Sequence, residues 1–216
     1  MVDQTKATRK RVDPETRRAL IIAEAVNLIG EWGYNGFNLH DLAKRCGLSN
    51  GGVLYHFPSK EHVFLLMLEV LHDRQERALA PLVAQLEQQL ADQQSSTATL
   101  RQLLHGIAMA GHDTPEAVKI FLTLKVEALS PEHPAYAYFQ QVDAEISSLL
   151  TRACAELSAE PQRLARQLQA VMDGLLLQWL RENKSFDYVA EVEAAIERLL
   201  SDACSGHEKE PVRVAL

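Results

Sequence analysis

Apolar positions along this chain recur at helical spacing almost throughout, and no stretch alternates in the way a half-buried strand would. Ile21, Ala25, Leu28 and Trp32 fall at i, i+4, i+7 and i+11, one face of a first helix that Pro14 and Glu15 suit at its start and Gly33 and Gly36 end. Asn38 is a good N-cap, and Leu39, Leu42, Ala43 and Cys46 then make a two-turn helix stopped by Gly47. Ser49 caps a third short helix with Val53, Leu54 and Phe57 facing inward, and Pro58 with Ser59 ends it and opens a fourth at Lys60. Beyond it the pattern predicts helices over 60–92, 98–112, 115–129, 134–158, 161–182 and 187–203. The loop-like "ADQQSSTAT" lies between the first two of these, and Pro81, Pro115, Pro131, Pro134 and Pro161 stand mostly where helices begin or bend.

The expectation is an all-α protein with an N-terminal three-helix helix-turn-helix domain and a larger C-terminal helical domain. The predicted boundaries are a basic flexible arm over 1–12, the helix-turn-helix domain over 13–59, the larger domain over 60–204 and a flexible tail over 205–216. Hydrophobic residues at 47% of 216 leave ample core without staples. Cys46, Cys154 and Cys204 are too scattered for a disulfide framework or a zinc site, so no metal is expected. No apolar run reaches the ~18 residues of a membrane span, and the polar N-terminus lacks the apolar stretch of a secretory signal, so a cytoplasmic location without membrane contact is expected.

The net charge of −7 looks wrong for a nucleic-acid binder until it is divided along the chain. Met1 to Phe64 holds nine Lys/Arg against seven Asp/Glu, a balance of +2, and the remainder holds 13 against 22, or −9. The run "KATRKR", Lys6 to Arg11, is either a solvated tail or an arm that lies along a phosphate backbone.

Two short helices joined by the turn in "RCGLSNGG" form a helix-turn-helix, whose second helix enters the DNA major groove. Adjacent glycines weaken a helix by roughly 1 kcal/mol each, so Gly51 and Gly52 point to close backbone approach to a partner. With Asn50 they occupy the first turn of the recognition helix, where residues meet base edges and phosphates. A Gly-rich turn in an unrelated bundle is the other reading of the same spacing.

The stretch "EWGYNGFNLHDLAKRCGLSNGGVLYHFPSKEHVF", Glu31 to Phe64, resembles almost continuously the N-terminal signature of the TetR family of bacterial transcriptional repressors. The resemblance implies a three-helix DNA-binding domain, a fourth helix as bridge, and a divergent domain that binds an effector and dimerises. Position by position it implies Asn38 as cap of the second helix and His40 as a phosphate-side residue. It places Ser49, Asn50, Gly51 and Gly52 at the start of the recognition helix, and His56 and Lys60 against the DNA backbone. Lys60 is a cation at a helix start, poorly placed for the dipole, which a phosphate partner would explain. Where the family carries Leu-Tyr this chain has Val53-Leu54, and Tyr55 follows one position later; Tyr55 either reaches a phosphate or a thymine methyl, or packs.

"AVMDGLLLQWLREN", Ala170 to Asn183, is apolar on nearly all sides, which calls for cover by a partner subunit or a central place in a monomer's core. The resemblance favours the partner, through a four-helix bundle of the last two helices across a two-fold axis. The predicted dimer residues are Met172, Leu176, Leu180, Val189, Val192, Ile196 and Leu199. Paired recognition helices roughly 34–36 Å apart would then match successive major grooves.

An effector pocket is expected within 98–182, with His105, Met109, His112, Phe121, Leu124, Tyr138, Phe139, Asp173 and Trp179 as candidate walls. No nucleophile elbow, phosphate loop or HExxH is present, so neither catalysis nor a cofactor is expected. The reading is a ligand-responsive homodimeric regulator, a repressor in the family's manner, of palindromic operator DNA with an unidentified small, largely apolar effector. The alternative is a helical dimeric scaffold or small-molecule binder without DNA binding.

Overall fold

The computed structural model describes residues 13–92 and 96–207. The predicted arm and most of the predicted tail lie outside these residues. Nine α-helices and no strand occur among the described residues: α1 (Pro14–Gly36), α2 (Leu39–Arg45), α3 (Asn50–His56), α4 (Lys60–Ala91), α5 (Thr97–Asp113), α6 (Pro115–Glu127), α7 (Tyr136–Cys154), α8 (Pro161–Arg181) and α9 (Tyr188–His207). The chain divides into two compact units, one ending at Glu69 and the other beginning at Val70. The division falls inside α4 rather than ahead of it, because the first turns of α4 bury Val63, Phe64, Met67 and Leu68 as core side chains.

In the first unit the stripe on α1 buries Ile21, Ala25 and Leu28, joined by Ile22 and Ile29. Trp32, expected on that stripe, is instead 46% exposed. The helical path breaks one residue later, at Gly33, whose φ is 69°, and the next buried side chains are Tyr34 and Phe37. Arg45 reaches back from α2 to Glu31 at 2.7 Å and lies 5.9 Å from the Trp32 ring, tying α2 to α1.

The second unit has a continuous core. Leu86 of α4, Leu100, Leu103 and Leu104 of α5, Leu150 and Cys154 of α7, Leu164 and Leu168 of α8, and Val192, Ile196 and Leu200 of α9 meet in it. Burial pushes the Cys154 thiol up to about 11, so it stays a neutral packing group. α7 stops at Cys154, short of the predicted 158, and α9 runs to His207, past the predicted start of the tail.

The charge on this unit is arranged as cross-links between helices. Arg101 and His105 of α5 pair with Glu197 and Glu193 of α9 at 2.8 and 2.6 Å, and Arg152 of α7 pairs with Glu87 of α4 at 2.5 Å. All are exposed, so each adds little stability, and their main effect is to fix which helix faces lie side by side.

Candidate nucleic-acid interface

The helix-turn-helix is built from caps. The Asn38 Oδ1 accepts from the Asp41 backbone N–H at 2.9 Å while its Nδ2 donates to the Asp41 carboxylate at 2.7 Å, closing the first turn of α2. Asn38→Ala should therefore cost the first unit about 1 kcal/mol, the usual value of an N-cap, measured by denaturant unfolding. Gly47 ends α2 with φ 62°, a left-handed position that glycine takes without strain, and it lets the Leu48 N–H return to the Ala43 carbonyl at 2.8 Å. One residue on, the Ser49 Oγ accepts from the Gly52 N–H at 3.1 Å and starts α3. Asn38 and Ser49 thus have local capping partners that account for their presence.

The far end of α3 is clamped. The Arg18 Nη1 donates to the His56 carbonyl at 2.5 Å, and its guanidinium stacks 4.6 Å over the Phe57 ring, which is fully buried. Sequence reasoning did not single out Arg18, since nothing local signals a partner 38 positions away. Val53 and Phe57 are the inward side of α3, so the opposite side is outward: Gly51, Leu54 and Tyr55 at i, i+3 and i+4, with Asn50 exposed beside them. Tyr55 is 84% exposed and Leu54 46%. Leu54, expected to face inward, faces out, because Val53 and Phe57 already fill that side.

A Cβ at Gly51 would lie 3.9 Å from its nearest neighbour, and one at Gly52 3.5 Å, both ordinary contact distances. Internal packing therefore does not require either glycine.

His40 and Lys44 on α2 are exposed, and His56 and Lys60 are half-buried. The Lys60 ammonium sits 4.2 Å over the Tyr34 ring, and the Tyr34 hydroxyl donates to the Glu61 carboxylate at 3.2 Å. Burial first, then Glu61, pushes the Tyr34 hydroxyl up to about 12. The aromatic face gives Lys60 a favourable partner, so its place at a helix start no longer demands a phosphate.

The residues expected to bind an effector fall in separate places in the second unit. Phe121 and Phe139 meet edge to face at 5.0 Å, Tyr138 joins them at 5.2 Å from Phe139, and Leu124 is buried. Next to Leu124 in the chain, Lys125 binds Asp143 at 2.7 Å and Asp173 at 3.6 Å. Burial opposes its charge, yet the two carboxylates raise its pKa, while burial raises that of Asp173. Trp179 is elsewhere: it is 3% exposed and stacks on Tyr188 at 5.4 Å, with His112 at 5.5 Å on it. His105 is turned to Glu193, and Met109 is exposed. Two open clefts, of about 180 Å³ beside Arg17, Glu24 and Cys46 and about 290 Å³ beside Arg163, Gln167 and Asp202, touch none of these residues.

Among the predicted dimer residues, Met172, Val192 and Ile196 are buried in the second unit's own core, which accounts for their apolar character without a partner. Leu176, Leu180, Val189 and Leu199 are partly buried against that core. Among the described residues no group of three His, Cys, Asp or Glu could hold a metal, and no helix is long and apolar enough to cross a membrane.

Comparison with known proteins agrees with this arrangement. The family model described as bacterial regulatory proteins, tetR family, matches residues 21–67, and that described as BetI-type transcriptional repressor, C-terminal, matches residues 96–205. The uncharacterized HTH-type transcriptional regulator YuxN of Bacillus subtilis is 38% identical over 58 residues, 27% of this chain and 20% of its own length. The chain thus spans a fifth of that relative. The HTH-type transcriptional regulator BetI of Agrobacterium fabrum is 26% identical over 171 residues, 77% of this chain and 78% of its own. A putative transcriptional regulator from Pseudomonas aeruginosa, 18% identical, shares the fold with a TM-score of 0.70 over 92% of this chain and 95% of its own. With a helix-turn-helix in the first unit and both family models matched in order along the chain, this protein belongs to the TetR family of bacterial transcriptional regulators.

Proposed function

We propose that the protein binds a palindromic operator as a homodimer, acts as a repressor, and changes its DNA affinity when a small, largely apolar effector enters the second unit. The observation that carries the DNA-binding part is the outward side of α3: two glycines that internal packing does not need, beside an almost fully exposed tyrosine. A helical scaffold without DNA binding leaves both unexplained. The contacts proposed are α3 in the major groove through Asn50, Gly51, Gly52 and Tyr55, and His40, Lys44, His56 and Lys60 along phosphates.

Fluorescence anisotropy with duplex DNA tests this at Lys60. Lys60→Ala should weaken specific and random duplexes about equally and reduce the salt dependence by roughly one unit of slope. Because the same cation stacks on Tyr34, the variant should also lose about 0.5–1 kcal/mol of stability. Unchanged affinity and slope would remove Lys60 from the DNA surface and leave it a stacking partner alone.

The dimer face proposed is the outer side of α8 and α9, which the core leaves free. On α8 it carries Ala170, Gly174 and Leu177 at i, i+4 and i+7, and on α9 Ala190 and Ala194. Space around Gly174 is open, Leu177 is among the exposed large apolar side chains, and small residues let a second helix pair come close. For the effector, the aromatic group of Phe121, Tyr138 and Phe139 beside the Lys125 ion pairs supports a site with apolar walls and a few fixed charges. α4 contributes residues to both units, so it is the continuous element through which a ligand could bias DNA binding. Linkage then requires DNA to change ligand affinity by the same factor.

A further inference from the structure

The base-facing side of α3 is chemically one-sided, and this bears on which DNA it can read. Between Asn50 and His56 there is no Arg, Lys, Asp, Glu or Gln. Guanine is read in the major groove chiefly by Arg or Lys donating to O6 and N7, and cytosine by a carboxylate accepting from N4. α3 offers neither. Arg45 and Lys60, the cations nearest it in sequence on either side, are held by Glu31 and over Tyr34, and the exposed Lys44 lies one residue farther back on α2. Ser49 accepts from the Gly52 N–H as the cap of α3, and the hydroxyl proton it has left can serve guanine or adenine alike, so it adds no preference. What remains outward is a carboxamide, Asn50, whose donor and acceptor match adenine N7 and N6, and two exposed side chains with large apolar surface, Leu54 and Tyr55, which match the thymine C5-methyl. Asn50 and Leu54 are one turn apart on the same row, so both can face neighbouring base pairs. Gly51 between them keeps the helix low enough for short side chains to reach.

Resting on the proposed DNA binding, we infer that the bases under α3 in each half-site are A·T pairs, with adenine read by Asn50 and thymine methyls packed against Leu54 and Tyr55. Selection of the full-length protein on random duplexes, followed by anisotropy on the enriched site, tests this. The enriched half-sites should hold runs of A·T where α3 lies. Replacing the contacted thymines by deoxyuridine, which deletes only the methyl, should weaken wild-type binding several-fold. In Leu54→Ala, whose substituted side chain is exposed and outside the core, the same replacement should cost less than in the wild type, by the share of the methyls that Leu54 covers. Asn50→Ala should relax the adenine preference about five-fold or more, from the low end of a bidentate base contact upward. Enriched half-sites with G·C pairs under α3, or no response to deoxyuridine in the wild type, would overturn the inference while leaving operator binding standing. Enrichment of no duplex at all would overturn both.

Discussion

Gly51→Val should leave the protein folded and abolish specific DNA binding. Valine is a better helix residue than glycine, by a few tenths of a kcal/mol, so the first unit should melt no lower than in the wild type. Beyond its chain neighbours and its own helix backbone, its Cβ would meet only the Ser49 Oγ, at 3.9 Å, so no core side chain has to shift. In the groove the same group is an overpacked one, costing about 1–3 kcal/mol at each half-site, and two half-sites together weaken a dimer by roughly thirty-fold at the least and by several thousand-fold in the upper part of that range. Gly52→Val should behave similarly, with a tighter fit against Leu48 at 3.5 Å. Stability and affinity are thus expected to move independently, and thermal melting beside an anisotropy titration measures both. A variant that binds normally would show that α3 does not approach DNA through its glycines.

Trp179→Ala carries the largest expected effect on stability. The indole is 3% exposed, stacked on the fully buried Tyr188 and covered by His112 and Lys184. Removing it should cost about 3–5 kcal/mol, the range for a buried aromatic truncated to alanine. Chemical denaturation followed by circular dichroism reads this directly. From the sequence, Trp179 is one of the candidate effector walls; its burial makes it a support of the second unit, so its loss is expected to act on stability first. Phe121→Ala, in a half-buried side chain of the separate aromatic group, is the variant expected to keep DNA binding and lose the response. Were Trp179→Ala as stable as the wild type, its stacking on Tyr188 would be incidental.

What the sequence disclosed follows from how local the causes are. The helices, the caps at Asn38 and Ser49 and the stop at Gly47 depend on neighbours within four residues, and all were legible. The orientation of α3 was half legible: the spacing puts Val53, Leu54 and Phe57 within one side of a helix, but it does not say how wide the buried side is, and Leu54 at its edge is 46% exposed. The stacking of Lys60 on Tyr34 was not legible, because that partner lies 26 positions back and no periodicity announces it. The last two helices were less legible for another reason. Apolar residues on several sides of α8 show that it is covered but not by what, so the burial of Met172, Val192 and Ile196 in the second unit's own core cannot be read from their spacing. Small exposed residues such as Ala170 and Ala194 gave no signal, because an alanine reads the same on any face.

The central claim is that this chain distinguishes one DNA sequence from another. The most direct measurement is the ratio of wild-type affinities for the selected duplex and for a scrambled duplex of equal length and composition, at about 0.15 M salt, where specific binders exceed random DNA by roughly a thousand-fold or more. A ratio in that range is expected. A ratio near one, with both duplexes bound alike or not at all, would contradict it.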